Sequence, residues 1–271
     1  MPISINTNVG AMVALQSLNT TNTLLDRTQQ RVNTGLRVSG SVDDAASYQI
    51  AQKMKGDRAG YEAVQVALGL GLATVNTGVK AAEAVNDLLV EMKAKVVQAN
   101  QAGLDNASLS ALNDDFTALA TQITTIVSSA SFNGKNLITS GATSLTVLST
   151  VDGSTITVSA VALDRTALGI QTQTLATSSG ALQALTTINS AIVLAATNAA
   201  KMGSAAKAVG IQSDYSSKLL DIITQGIGSL IDADLSRESA NLQALQIKQQ
   251  LGVQALSIAN SRPQVLLGLF G

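Results

Sequence analysis

Side chains that commonly take part in catalysis are scarce in this sequence. It contains no histidine and no cysteine, which excludes imidazole acid–base chemistry, thiol nucleophiles, disulfides and thiolate metal sites. Asp43 and Asp44 are adjacent carboxylates, but no other metal-ligating side chain lies near them in the sequence. Because Asp is favoured at helix N-termini, we interpret the pair as helix-capping residues rather than as a catalytic or metal site.

A phosphate-binding loop and a nucleic-acid surface are also unsupported. Gly69 and Gly71 resemble a fragment of a phosphate loop, yet no strand precedes them and no Gly-Lys-Ser or Gly-Lys-Thr follows. The formal net charge is −1, and the scattered Lys and Arg residues form no track for a phosphate backbone. We therefore predict that the protein is not an enzyme, uses no cofactor and binds no nucleic acid.

The composition favours long helices. Hydrophobic residues make up 46% of the chain and aromatic residues only 2%, with no tryptophan and two prolines. The abundant Ala, Leu, Val, Ser, Thr, Asn and Gln residues suit helices that pack through small and medium-sized side chains.

Neither a secretory signal nor a membrane span is predicted. The first basic residue is Arg27, so the N-terminus lacks the positively charged region of such a signal. We expect export by a route that leaves the N-terminus intact. The apolar run 191–196 inside the charge-free stretch 166–200 is too short to cross a bilayer, so we expect no membrane insertion.

Both ends of the chain have the seven-residue repeat of a coiled coil. Leu18, Leu25 and Val32 are seven residues apart in the segment 12–36. We expect the terminal helices to pack on each other, because the C-terminal end has two rows of its own: Leu235, Leu242, Gln249 and Leu256, and Leu245, Gly252 and Ala259.

The interior of the chain contains further helical segments and one change of character. Helices are predicted at about 43–77, 80–101, 108–130 and 187–231 from apolar spacing and capping residues. The segment 131–186 is rich in Ser and Thr and carries turn signals instead.

The strongest turn signal in this middle segment is Asp152-Gly153. It lies between two alternating segments, 145–151 and 154–160, and predicts a hairpin with a two-residue loop. In that register Val151 pairs with Ser154, Ser149 with Ile156, and Val147 with Val158. The apolar side chains of Val147, Ile156 and Val158 then share one face.

The predicted fold is mainly α, an elongated antiparallel helical bundle or coiled coil built from both termini, with a small β-hairpin region in the middle. We expect an inner part made of 1–40 and 232–271, a helical part made of 41–130 and 187–231, and a hairpin excursion at 131–186.

Motifs in the N-terminal half resemble bacterial flagellins. Residues 5–8, Ile-Asn-Thr-Asn, are similar to the flagellin N-terminus. Residues 31–37, Arg-Val-Asn-Thr-Gly-Leu-Arg, followed by Asp-Asp-Ala-Ala at 43–46, resemble the segment where the terminal helix gives way to the next domain. Residues 131–134, Ser-Phe-Asn-Gly, resemble the motif that opens the first hairpin.

The C-terminal end carries the resemblance further. The stretches 232–239 and 249–260 and the ending at 266–270, which has Leu, Leu, Leu and Phe, are similar to the flagellin C-terminus. These C-terminal residues are most similar to those of short alphaproteobacterial flagellins. The matching motifs cover both terminal thirds of the chain in the right order. In the middle third no specific motif matches, and only its position agrees with the family.

The resemblance implies a structural subunit that polymerises into the extracellular flagellar filament for swimming. It implies as partners other copies of the chain, a cap protein, a hook-junction protein and a cytosolic export chaperone that covers the C-terminal helix. Large outer domains are not expected, because the middle segment is short. The residues expected to pack subunits through the terminal helices are Leu15, Leu18, Leu25, Val32, Leu235, Leu242, Leu245 and Leu256.

Assembly is expected to be coupled to folding. Isolated terminal helices would expose their apolar seams and be marginal as monomers, whereas neighbouring subunits would bury those seams. Judged from their spacing alone, the heptads are explained equally well by an ordinary helix bundle within one chain. The resemblance also implies that the segment with Gly35, Gly40, Asp43 and Asp44 is a connector between inner and outer parts. Spacing alone makes it an ordinary loop.

One segment departs from the flagellins that a host innate receptor detects. Those flagellins carry a segment resembling Leu-Gln-Arg-Val-Arg-Glu-Leu-Ser-Val-Gln. Here Glu91 falls where the key Arg is expected and Lys95 where a Leu is expected. We hypothesise weak or absent recognition, because charge reversal at an interface hot spot is costly. Glu91 and Lys95 are also spaced to form an ion pair on a solvated helix face.

Two other protein classes compete with this interpretation. A hook–filament junction protein shares the N-terminal motifs, but there the acidic pair is typically followed by Pro, whereas Ala45 follows here. A coiled-coil translocator of another secretion apparatus would leave the motif at 131–134 and the C-terminal similarity unexplained.

Overall fold

A computed structural model describes the backbone of residues 7–267 and the side chains of residues 7–261. Ile5, Leu269 and Phe270, which contribute to the resemblance, lie outside the described residues. The described chain is mainly helical with two small antiparallel sheets, which confirms the predicted fold class. Its elements are α1 (Val9–Thr34), α2 (Ala45–Ala99), α3 (Asn106–Ser129), β1 (Ser131–Phe132), β2 (Lys135–Asn136), β3 (Leu145–Leu148), β4 (Thr155–Val158), α4 (Ser178–Ile231) and α5 (Leu235–Leu267).

The chain divides into two compact units. The terminal unit comprises Met1–Gly56 and Ile222–Gly271, and the central unit comprises Asp57–Asp221. The boundaries fall inside α2 and α4 rather than at the connector near residue 40. The three-part division expected from the sequence stays a prediction.

In the terminal unit, α1 and α5 pack against each other in antiparallel orientation. The Asn8 side-chain amide donates to the carbonyl of Ala259 at 2.7 Å. Further along α1, Asn22 accepts a hydrogen bond from Gln249 at 2.9 Å. The partner number falls as the α1 number rises, so the two helices run in opposite directions. The expectation that the two ends of the chain pack on each other is therefore confirmed.

A small core lies where α1 ends and α5 begins. It is formed by Val38, Ala51, Ile227 and Ile231. The backbone N–H groups of residues 37 and 38 both donate to the carbonyl of Ile231, at 2.7 and 3.2 Å. These bonds satisfy backbone groups that the ends of the helices leave open.

The central unit has a heptad core that the sequence analysis did not identify. Its buried positions recur at intervals of three and four along α2 and α4, so each helix keeps one face toward the interior. On α3, Phe116 and Ile123 are buried. The buried rows on the two long helices include Val64, Leu68, Val75, Ala82, Val85, Leu89, Met92 and Val96 on α2, and Ala181, Ala184, Ile188, Ala191, Ala195, Met202 and Val209 on α4.

Three of the predicted helices are wrong in their limits. The segments 43–77 and 80–101 form a single helix of 55 residues. Gly78 does not interrupt it. The terminal methyl of Met202 on α4 lies so close to Gly78 that a Cβ atom there would require this flexible side chain to shift. The helix predicted from Thr187 begins at Ser178, where the Thr177 hydroxyl accepts from the N–H of Gly180 at 3.1 Å.

The two sheets are short hairpins. Strands β1 and β2 are joined by Asn133 and Gly134, which both have positive φ, 49° and 75°, as a type I′ turn requires. Strand β3 pairs with β4 so that Val147 lies opposite Ile156. The predicted register, with Val147 opposite Val158, is therefore wrong by two residues.

The hairpin register differs because the loop is longer than predicted. Residues 150–153 form a four-residue loop, in which the Thr150 hydroxyl accepts from the N–H of Ser154 at 3.2 Å and Gly153 has a φ of 89°. A shift of two residues preserves the side-chain alternation. Val147 and Val158 are accordingly still buried, with Ile156 half-buried.

Helix α4 is long and apolar enough, by length and composition, to cross a membrane. Ile188, Ala191 and Ala195 on it are fully buried in the core of the central unit. This burial accounts for part of its apolar composition, whereas Val193 on the same helix is 66% exposed. We therefore interpret α4 as a helix that contributes one face to the core.

Candidate assembly surface

Six of the eight predicted packing residues lie at the interface between α1 and α5. Leu25 is buried, and the other five are half-buried at the seven-residue spacing that the sequence predicts. The Cδ1 atom of Leu18 comes so close to Gly252 that an added methyl carbon would lie 3.2 Å from it. The six residues are Leu18, Leu25, Val32, Leu242, Leu245 and Leu256.

The other two predicted packing residues are exposed. Leu15 is 48% exposed and Leu235 is 49% exposed. Leu15 is three residues from Leu18, so both positions fit an apolar helix face in the sequence. The position of α5 decides that Leu18 is covered. The six covered residues pack within the chain, so the surface open to another molecule is a different one.

That open surface consists of two apolar stripes. The outer stripe of α1 contains Val9, Met12 and Val13, which are all at least 60% exposed. They line a shallow groove with Leu15 and four polar residues, Gln16, Asn19, Thr20 and Thr23. The outer stripe of α5 contains Ile247, Leu251 and Ile258, with exposures of 57 to 60%.

Helix geometry explains why each set is one stripe. Residues 12 and 13 follow residue 9 by three and four positions, and residues 251 and 258 follow residue 247 by four and eleven, spacings that return to the same helix face. Both stripes lie along the same stretch of the helix pair, because Asn8 contacts Ala259 and Asn22 contacts Gln249. The α5 stripe was not predicted, although the apolar row at 247, 251 and 258 is visible in the sequence.

The stretch that carries the stripes is almost without charge, and Lys248 beside Ile247 is its one charged residue. Segments 9–25 and 249–261 contain no Asp, Glu, Lys or Arg. Nearer the connectors, Arg31 donates to Glu238 at 3.2 Å, and the Glu238 side chain is 11% exposed. The ionic contact between α1 and α5 is thus at the connector end, and the apolar surface is at the other end.

The predicted connector residues form a hydrogen-bonded turn. Gly35 ends α1 with a φ of 70°, and its N–H donates to the carbonyl of Arg31 at 2.9 Å. Asp43 accepts from the N–H of Ser39 at 3.0 Å and from its hydroxyl at 2.9 Å. These two bonds lower the pKa of Asp43 below its usual 3.8. Gly40 accepts from the N–H of Asp43 at 3.2 Å.

Asp44 caps α2. Its carboxylate accepts from the hydroxyl of Ser47 at 2.6 Å and from the N–H groups of Ala46 and Ser47, both at 3.1 Å. The Ser47 hydroxyl and N–H lower the pKa of Asp44. The two carboxylates therefore make hydrogen bonds within the connector and at the start of the helix. Within the described residues, no group of three or more metal-ligating side chains comes together.

Glu91 and Lys95 do not form the ion pair considered from their spacing. Lys95 donates to Asp115 on α3 at 2.7 Å, whereas Glu91 is exposed. The hydrogen bond to Asp115 and its charge raise the pKa of Lys95, and the charge of Glu91 adds a weaker attraction. Lys95 therefore links α2 to α3 instead of pairing with a residue of its own helix.

Comparisons with known proteins agree with this architecture. The model for the bacterial flagellin N-terminal helical region matches residues 5–143, and that for the C-terminal helical region matches residues 185–270. The chain is 40% identical over 268 residues to flagellin FljK of Caulobacter vibrioides, covering 98% of each protein. It is 37% identical to a flagellin of Brucella melitensis, covering 98% of this chain and 99% of that protein.

A solved structure supports the fold. The crystal structure of Bacillus cereus flagellin matches with a TM-score of 0.52 at 20% identity, over 56% of this chain and 88% of that chain. Both terminal regions of this chain match the family, and the alphaproteobacterial relatives match over nearly their whole length. The chain therefore belongs to the bacterial flagellin family, whose members are structural proteins that polymerise into the extracellular flagellar filament.

Proposed function

We propose that this chain is a filament subunit for swimming motility, and that copies join through the outer stripes of α1 and α5. The observation that carries the proposal is a pair of exposed apolar stripes, on different helices, along one stretch of the helix pair in which Lys248 is the one charged residue. A soluble protein seldom leaves such rows uncovered unless they bind a partner.

The arrangement of the stripes favours an open polymer. One copy offers two different apolar surfaces, so the α1 stripe of one chain can lie against the α5 stripe of the next. A contact between unlike surfaces does not close on itself and can be repeated along a helix. Fully burying one Ile or Leu side chain contributes about 1.5–3 kcal/mol, so covering the exposed parts of Ile247, Leu251 and Ile258 contributes a few kcal/mol to incorporation.

Folding of the helix pair is proposed to be coupled to this contact. Within the described part of α1, only Leu25 and Thr28 are buried. Burial inside a single chain is therefore small, and long helices with little burial are marginal in water. A neighbouring copy would add burial on the faces that the chain itself leaves open.

Other partners follow from the same surface. Before export, the exposed stripe on α5 needs a cover, which supports a cytosolic chaperone on the C-terminal helix. A cap protein at the tip and a hook-junction protein at the base would each meet one open end of the stack. We also infer a role that is structural and not catalytic, since Asp43 and Asp44 make hydrogen bonds within the connector and at the start of α2.

Seeded elongation viewed by electron microscopy tests the proposal. The full chain is expected to extend short filament fragments, whereas a truncation lacking residues 232–271 is not. Leu251→Lys should stop elongation, because it places a charge in the apolar contact. Gln250→Lys, at the next exposed position of α5, is the matched control and should elongate.

Two results would count against the proposal. If the full chain stays monomeric with every seed but binds isolated hook ends, it is a junction protein. If Leu251→Lys elongates as fast as Gln250→Lys, the α5 stripe is not the contact.

The departure at Glu91 and Lys95 supports a second proposal, that the host innate receptor for flagellin recognises this chain weakly. Glu91 is exposed and carries charge opposite to the expected Arg, and Lys95 is bound to Asp115. Strong activation of receptor-reporter cells by the purified monomer would contradict it. The variant Glu91→Arg with Lys95→Leu is expected to activate more strongly than the parent chain.

A further inference from the structure

The four methionines whose side chains are described differ sharply in exposure. Met12 is 64% exposed, whereas Met92 and Met202 are fully buried in the central unit. Met54 is half-buried, and its terminal methyl lies so close to Gly226 that an added methyl carbon there would be 2.7 Å away. Solvent therefore reaches the thioether of Met12 far more easily than those of the other three.

Met12 also lies at the centre of a contact surface. It belongs to the outer stripe of α1, between Val9 and Val13, in the groove that also includes Leu15. A thioether suits such a place, because it is apolar, unbranched and able to adapt to an opposing surface. The same side chain becomes polar when its sulfur is oxidised.

We propose that Met12 is an oxidation site through which peroxide blocks incorporation of the subunit. The inference rests on the proposed function, because it takes the α1 stripe to be a contact between copies. In the reaction the Met12 sulfur attacks one oxygen of hydrogen peroxide and the O–O bond breaks. The sulfur gains that oxygen and is oxidised by two electrons, and the peroxide is reduced to water.

The physical effect is a polar oxygen in an apolar contact. The sulfoxide is hydrated in the monomer and loses that water when a neighbouring copy covers the stripe. A desolvated polar group without a new hydrogen bond weakens a contact by roughly tenfold or more. The monomer itself is little affected, because the Met12 side chain makes few contacts within the chain.

Exposure predicts when the reaction takes place. In the free subunit the Met12 sulfur is accessible, and in the polymer the neighbouring copy would cover it. Peroxide should therefore act on subunits before incorporation and leave finished filaments intact. Since sulfoxide formation is reversible by methionine sulfoxide reductase, the block is reversible too.

The test combines peptide mapping with seeded elongation. Monomer is treated with hydrogen peroxide, the excess is removed with catalase, and sulfoxide is located by tryptic digestion and tandem mass spectrometry. Trypsin places Met54, Met92 and Met202 in separate peptides, and fragmentation separates Met12 from Met1 within the peptide that ends at Arg27. Elongation of seeds is then measured by electron microscopy.

Two Leu variants assign the effect. Treated parent chain is expected to elongate roughly tenfold more slowly, and Met12→Leu, which keeps the size and apolar character, should elongate at its untreated rate. Met54→Leu is the matched control and should remain as sensitive as the parent. Treatment with methionine sulfoxide reductase should restore elongation of the parent.

The outcomes separate this inference from the proposed function. If untreated chain fails to elongate, the proposed function fails and the inference with it. If untreated chain elongates but treated Met12→Leu is as slow as treated parent, the inference alone is wrong. Full-rate elongation by parent chain with mapped sulfoxide at Met12 also overturns it.

Discussion

Both units contain the seven-residue repeat, but the residues of the repeat are buried to different extents. In the central unit, α2, α3 and α4 bury a continuous row of side chains, of which Leu68, Leu89 and Ile188 are fully buried. In the terminal unit, α1 and α5 have the same seven-residue spacing, but most of the residues at their interface are only half-buried. A heptad row therefore identifies a face that packs and does not indicate how completely it is covered.

This difference in burial follows from the number of helices and strands that surround each row. Three helices and a hairpin surround the rows of the central unit, whereas in the terminal unit each row of α1 and α5 faces a single helix. A helix with one partner leaves most of its circumference open. We infer that the central unit is stable within one chain and that the helix pair depends on other copies.

Phe116→Ala tests this comparison most strongly. Phe116 on α3 is 1% exposed in the core of the central unit, and truncating a buried Phe leaves a cavity and costs about 3–5 kcal/mol. The monomer should show a much lower melting temperature by circular dichroism. Val90→Ala on the exposed side of α2 is the control and should change little. Equal effects of both variants would mean that the central core contributes little to monomer stability.

Two glycines in α2 give a smaller effect with opposite signs. A Cβ atom at Gly71 would lie 2.5 Å from the Cγ2 atom of Val147 on the hairpin, whereas nothing lies within 4 Å of one at Gly69. Gly69→Ala should stabilise the monomer by about 0.5–1 kcal/mol. Gly71→Ala should destabilise it by about 1–3 kcal/mol.

Chemical denaturation measures both glycine variants. Adding Val147→Ala to Gly71→Ala should recover part of the loss, because it removes the atoms that collide. If Gly71→Ala proves as stabilising as Gly69→Ala, the hairpin does not dock closely on α2.

The sequence was sufficient for the pairing of the ends and for the buried face of the hairpin. Leu18, Leu25 and Val32 repeat every seven residues, and Val147 and Val158 alternate, so local periodicity determines which face is apolar. Which face of each element is apolar depends only on residues close in the sequence.

Other features depend on partners that periodicity does not reveal. The helix boundary predicted between 77 and 80 is absent, and α2 continues through Gly78 where Met202 of α4 packs against it. Leu15 and Leu18 are equally apolar, and only the position of α5 distinguishes them. The hairpin register depends on the hydrogen bond from Ser154 to the Thr150 side chain, which adds two residues to the predicted loop.

The ion pair between Arg31 and Glu238 sharpens the comparison at lower energy. It joins α1 to α5 at 3.2 Å and is largely shielded from solvent, with side-chain exposures of 28% and 11%. Glu238→Gln should weaken the helix pair by about 1 kcal/mol. Faster amide hydrogen exchange in α1 and α5, with exchange in the central unit unchanged, is the expected result.

Glu62→Gln is the matched control for this ion pair. Its partner Arg58 lies 3.5 Å away in the central unit, and both side chains are well exposed. Such exposed pairs contribute little, so exchange should not change measurably. If Glu238→Gln leaves α1 and α5 as protected as before, the Arg31 pair does not stabilise the terminal unit.

Mild acid is expected to give the smallest effect, and it acts on an Asp helix cap in each unit. Asp44 begins α2 in the terminal unit, and Asp105 begins α3 in the central unit, where it accepts from the N–H of Ser108 at 2.9 Å. Hydrogen bonds to Ser47 and to Ser108 hold both pKa values below the ordinary 3.8. A lowered pKa means that the cap stabilises fully above the unfolded value and that this contribution is lost as the pH falls through the folded pKa.

The two caps should respond to acid over the same range of pH but with different reach. As the pH falls below about 3.8, loss of the Asp44 cap should spread into the four-residue core around Val38, whereas loss of the Asp105 cap should stay within the first turn of α3. Backbone amide NMR follows both segments in one titration. Asp105→Asn, and Asp44→Asn combined with Asp43→Asn because the neighbouring Asp43 also has a lowered pKa, keep oxygen acceptors and remove the titration, so each variant should abolish the pH dependence of its own segment only. If acid disturbs α3 as widely as the start of α2, the two units do not differ in internal support.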